Sequence, residues 1–111
     1  MKFEFKNFNE NLPDFMRSVG YHYDGADPKT KELRFYKTLS GGLYPRFHIY
    51  GTWNRAGKKA ALSLHLDQKA PVYEGATAHA GDYEGPVIEN EVGRIREAFA
   101  VKNLPKMRPI E

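Results

Sequence analysis

No cysteine occurs in the 111 residues, which excludes a disulfide framework and any thiolate metal site. Long apolar runs are missing too: nothing approaches the ~18 consecutive apolar residues that a membrane-spanning helix needs. Charge of one sign does not dominate. The 17 Lys and Arg against 14 Asp and Glu leave a net charge of +3, and the two signs are interspersed. Composition alone therefore steers the chain neither to nucleic acid nor to a membrane surface. Residues 1–6 alternate charged and aromatic side chains, so they do not read as a secretory signal, and a thiol-free chain suits the cytoplasm. Fixed-spacing signatures are lacking as well. There is no His-Glu-x-x-His, no Gly-x-Ser-x-Gly, and no Gly-Lys-Ser/Thr after Gly41-Gly42. Ready-made zincin, serine-hydrolase and phosphate-loop chemistries are thereby set aside.

What the chain does have is a hydrophobic fraction of 41 %, with 7 Phe and 7 Tyr. That is a globular composition at a length that makes one domain. Phe3, Phe5 and Phe8 alternate with charged residues and predict a short strand with one buried face. From Asn11 the period changes: Leu12, Phe15, Met16 and Val19 share a helical stripe, with Asn11 placed to cap, Pro13 in the first turn and Gly20 at the close. Tyr21-His22-Tyr23 returns as extended chain, and Asp24-Gly25-Ala26-Asp27-Pro28 is turn chemistry.

Three strands are expected next, over 31–39, 46–53 and 59–67. Their apolar parities are Leu33, Phe35 and Leu39; Phe47, Ile49 and Trp53; and Leu62, Leu64 and Leu66. Short connections make both joints antiparallel hairpins. Residues 68–85 read as a long loop, the kind that carries function, with a Tyr-Glu-Gly triplet at Tyr73 and again at Tyr83. A second helix is expected over 86–101, with a stripe of Ile88, Val92, Ile95 and Phe99. Gly93 within it implies close packing. The predicted fold is α+β: a two-layer sandwich of a mostly antiparallel sheet of about four strands, with two helices packed on one face. It forms a single domain over 1–101 with an extended tail over 102–111.

The other sheet face is where function is expected. A four-residue loop in the second hairpin pairs residues whose numbers sum to 113, which sets His48 opposite His65 and Arg46 opposite Asp67. The parity of that register is enforced by the buried face; a two-residue slip would pair His48 with Asp67 instead. In the first hairpin a sum near 84 sets Tyr36 beside His48 and Arg34 beside Tyr50. Lys37 falls on the apolar parity.

Arg, Tyr and His are ordinary residues for a half-exposed strand face, and Arg46 with Asp67 would then be a surface pair worth under ~1 kcal/mol. As a ligand site, the same face (Arg34, Tyr36, Arg46, His48, Tyr50, His65, Asp67) suits an anionic partner. Single-stranded nucleic acid comes first, with tyrosines stacking on bases and cations such as Lys69, Lys102, Lys106 and Arg108 on phosphates. As a histidine site, His48, His65 and Asp67 with His79 and Asp82 suit a divalent metal such as zinc. Alternatively His48, His65, Lys69 and His79 would serve phosphodiester hydrolysis as acid, base and charge stabiliser. His22 reads as a strand-edge residue.

The segments Tyr44-Pro45-Arg46-Phe47-His48-Ile49-Tyr50, His65-Leu66-Asp67-Gln68-Lys69 and Ala78-His79-Ala80-Gly81-Asp82-Tyr83-Glu84-Gly85 resemble a group of small uncharacterised bacterial proteins. The resemblance implies a bacterial, intracellular, free-standing domain and carries no activity with it. The function expected from sequence is a small non-enzymatic binding domain for an anionic ligand. Its alternatives are the metal or hydrolase site and a protein-interaction module.

Overall fold

The computed structural model describes residues 1–68, 81–82 and 84–103. Strand β1 (Lys2–Lys6) leads to helix α1 (Leu12–Ser18), then β2 (His22–Ala26), β3 (Leu33–Thr38), β4 (Arg46–Asn54), β5 (Lys59–Asp67), β6 (Gly81–Asp82) and helix α2 (Pro86–Lys102). The fold is α+β with an open antiparallel sheet, ordered β1-β5-β4-β3-β2. The two-residue β6 also pairs with β5, at Leu66 and Asp67, beyond the stretch of β5 that β1 occupies. No helix among the described residues is long and apolar enough to cross a membrane.

The local devices are those that the residue types dictate. Asn11 Oδ1 accepts the Asp14 backbone N–H at 3.0 Å, which satisfies one orphan donor of α1. Gly20 follows that helix at φ 101°, a conformation that costs a residue with a Cβ. Both hairpin registers run as expected, with His48 opposite His65, Arg46 opposite Asp67, Tyr36 opposite His48 and Arg34 opposite Tyr50.

Several expectations need correction. The sheet has five strands in its main path and not about four, because the chain from His22 stays extended through Ala26. Asp24 and Gly25 lie within a bulge of β2 and not in a turn. The turn begins at Asp27, whose carboxylate accepts the Lys29 and Thr30 N–H groups at 2.8 and 3.0 Å. Strand β3 is shorter than 31–39: Lys31 takes φ 65°, pairing ends at Thr38, and Leu39 is exposed beyond it. Among the described residues, nothing lies within 4 Å of where a Gly93 Cβ would stand, so no close packing among them explains it. Lys102 closes α2 and so does not start a tail, while 104–111 lie outside the described residues. Part of the 68–85 loop is strand β6 and the start of the approach to α2.

The core gathers Phe3 and Phe5 of β1, Phe35, Phe47 and Ile49 of the central strands, and Leu62, Leu64 and Leu66 of β5. Against these lie Leu12, Phe15 and Met16 of α1 and Ile88, Val92 and Ile95 of α2. Phe5 stacks on Phe99 at 4.3 Å and meets Phe15 edge-on at 5.5 Å, which ties the first strand to both helices. Gly51 faces this core. A Cβ there would collide with Leu62 Cδ2 and meet Leu12 Cδ2 at 3.6 Å, so β4 is smooth where the start of α1 crosses it.

A buried polar knot completes this layer. Glu91 of α2 is 6 % exposed; it accepts a hydrogen bond from the Tyr21 hydroxyl at 2.6 Å and a forked pair from Arg94 at 2.8 Å each. Arg94 also donates to the Val19 carbonyl at 2.7 Å, and Lys37 Nζ approaches Glu91 at 3.7 Å. Burial pushes the Glu91 carboxyl up, but the hydrogen bonds from Arg94 and Tyr21 and the charges of Arg94 and Lys37 outweigh it. The net position is below the usual carboxylate range. Burial and the facing Glu91 raise the Tyr21 phenol.

Candidate functional site

The face of the sheet away from the helices is built by alternation. In β3, β4 and β5 the residues between the core positions point outward, and the registers line them up in rows. One row runs His22, Tyr36, His48, His65 across four strands. The next holds Thr38, Arg46 and Asp67, and the one on the other side Arg34, Tyr50 and Ser63. Strand pairing alone therefore brings all seven sequence-predicted ligand residues onto one surface.

Side chains draw the centre closer still. His65 Nε2 lies 3.2 Å from one Asp67 carboxylate oxygen, and His48 Nδ1 lies 3.4 Å from the other. One donor atom from each of the three residues can be chosen so that all lie within 4.8 Å of one another. The two imidazoles are 5.0 Å apart between ring centres. Tyr50 stacks on His48 at 4.5 Å and on His65 at 5.6 Å. Arg46 sits over the rings of Tyr36 and Tyr44, at 5.3 and 4.8 Å, with its Nε 3.8 Å from Asp67. That last separation is an ion pair without a hydrogen bond.

This end of the face is not an ordinary solvated strand surface. The side chains of His48 and His65 are only 12 % and 10 % exposed. Further along the same face Glu4, Thr52 and Ala61 are exposed, as a bare sheet surface would be. Burial lowers the pKa of both histidines. The partner imidazole and Arg46 push His48 further down; the Met1 ammonium and Arg46 do so for His65. Asp67 pulls both the other way and does not prevail, so neutral imidazoles with available lone pairs are the resting state at neutral pH.

Comparison with known protein families, with curated proteins and with solved structures finds no match for this chain.

Lys37 points to the helix side, where it pairs with Glu91, as its parity requires. Lys69, His79, Lys106 and Arg108 lie outside the described residues, as do Tyr73 and Tyr83. The Asp82 backbone pairs with Leu66 in β6, but its side chain is not described. Two members escaped the sequence reading. His22 stacks on Tyr36 at 5.1 Å; extending the alternation of Tyr21, His22 and Tyr23 into a paired strand would have found it. Tyr44 belongs to the hairpin loop, where no periodicity points to its contact with Arg46.

Proposed function

We propose that this protein binds a divalent cation of the zinc type through His48, His65 and Asp67. The observation that carries the reading is the convergence of two desolvated neutral imidazoles and a carboxylate from two adjacent strands. Metal–ligand bonds of ~2.0–2.2 Å in a tetrahedron put donor atoms about 3.3–3.6 Å apart. Each imidazole approaches a different Asp67 oxygen, at 3.2 and 3.4 Å, and one donor atom from each residue lies within 4.8 Å of the others, so small side-chain rotations bring the three donors to that spacing. All three donors stand on two paired strands of a continuous sheet, the rigid kind of scaffold that a metal site needs. Three protein ligands leave a coordination position for water or a ligand, the pattern of catalytic and not of closed structural zinc sites.

The nucleic-acid reading has less support from the geometry. Tyr36 has its ring against His22 and Arg46, and Tyr50 against His48 and His65. Ring faces engaged in this way are poorly placed to receive bases.

The test is a titration of the full chain with Zn²⁺ and separately with Mn²⁺. It is followed by calorimetry and by NMR of the histidine rings. One equivalent should be taken up, with His48 and His65 responding together and the melting temperature rising by mass action. Asp67→Asn with His65→Ala should abolish uptake. Unmoved His48 and His65 resonances at millimolar zinc would sink the proposal.

A further inference from the structure

Arg46 is held in an unusual condition. Its guanidinium is clamped between Tyr36 and Tyr44, which fixes its position, yet its buried Nε has no hydrogen-bond partner among the described residues. Its neighbour Asp67 stands too far away to accept that proton. On the other side of the Tyr36–His48–His65 row, Arg34 presents a second buried Nε with no partner among the described residues, while its Nη2 donates to the Asp24 carbonyl at 3.4 Å. Two arginines with unmet donors therefore flank the histidine pair on one face. A buried donor left unmade is costly, and guanidinium donors fit tetrahedral oxyanions in a forked geometry.

Charge points the same way. A divalent cation on two neutral imidazoles and Asp67 keeps one uncompensated positive charge. Once Asp67 has turned its oxygens to the metal, Arg46 also loses its nearby counter-charge. From these observations we infer that the metal-loaded centre takes a phosphate-type oxyanion, with one oxygen on the metal and Arg46 as its second anchor. Arg34 borders the same row and supplies the outer charge. The inference rests on the metal reading of the same site, and it assigns a ligand class to the open coordination position.

Inorganic phosphate is the probe. It is titrated by calorimetry into the full chain carrying one equivalent of zinc, with acetate as the competing carboxylate. The visible spectrum of the cobalt-loaded form reports whether the anion reaches the metal. One phosphate per metal is expected, with a shift of the cobalt bands. Arg46→Ala should weaken phosphate at least tenfold while zinc uptake persists. Arg46→Lys, which keeps charge but loses the fork, should fall between the two and guards against a folding defect in the alanine variant.

Zinc uptake with no phosphate binding overturns the inference and leaves the metal site standing. So does phosphate binding that Arg46→Ala leaves unchanged. Acetate held as tightly as phosphate overturns the ligand class. No zinc uptake at all removes the metal reading and this inference with it.

Discussion

Replacing Glu91 by Gln removes one charge from the knot that joins α2 to the Val19–Tyr21 segment and to β3, while keeping the side chain's shape. The carboxylate receives three hydrogen bonds, two from Arg94 and one from Tyr21, at 6 % exposure. A charge-assisted bond of this kind contributes ~1.5–3 kcal/mol. The amide keeps one acceptor oxygen and sets an NH₂ against a cation or a hydroxyl. Arg94 is 43 % exposed and recovers part of its hydration, which reduces the loss. A net destabilisation of about 2–3 kcal/mol results, smaller than the ~3–5 kcal/mol of a fully buried broken pair. For a domain of this size that is a fall of about 8–12 °C in melting temperature. Tyr21→Phe removes one of these charge-assisted bonds and should cost about 1.5–3 kcal/mol. The assay is thermal unfolding followed by circular dichroism at pH 7 and again at pH 3–5. Because the folded carboxyl lies below its unfolded value, its contribution is complete above ~4.3 and fades as the pH falls through the folded value. The glutamine variant should lack that part of the acid dependence. A variant melting within 2 °C of the parent, by a scale of ~4 °C per kcal/mol, would refute the reasoning and mark the knot as effectively solvated.

Gly93→Ala should stabilise the protein by about 0.5–1 kcal/mol, since the added methyl meets none of the described residues within 4 Å on the exposed side of α2; chemical denaturation measures it. Gly51→Ala should destabilise by about 1–3 kcal/mol, because its Cβ collides with a Leu62 methyl inside the packed core. With a chelator present, stability should decline as the pH drops below ~6.5. The unfolded histidines take up protons before His48 and His65 do, so each adds a slope of up to ~1.4 kcal/mol per pH unit until its folded value is passed. The double variant His48→Gln, His65→Gln should flatten that limb, and unchanged pH dependence in its melts would contradict the burial argument.

The candidate site was legible to an unusual degree because period-two alternation is a strong signal. Phe47, Ile49, Leu64 and Leu66 can be buried together only in registers of one parity, and a four-residue loop selects the one that sets His48 against His65. Strand β2 was harder to see: four of its five residues are exposed, so it carries no apolar alternation and its bulge resembles a turn. The Glu91 knot was invisible for another reason. Tyr21 and Glu91 are 70 residues apart, and nothing local distinguishes a helix-start glutamate facing water from one facing a tyrosine. Gly93 misled because a helical glycine signals either close approach or nothing, and only the surrounding space decides.

The bulge in β2 bears on how the molecule behaves among copies of itself. An open sheet ends in strands whose outer donors and acceptors invite another chain to add on. Strand β2 is one such border, and between Tyr23 and Ala26 its regular spacing breaks, with Gly25 at φ 84°. A neighbour trying to zip along it would lose register after a residue or two. The irregularity that hid this strand from sequence reading therefore acts as a guard against fibrous assembly. Straightening it, by deleting Gly25, should promote aggregation in the folded state.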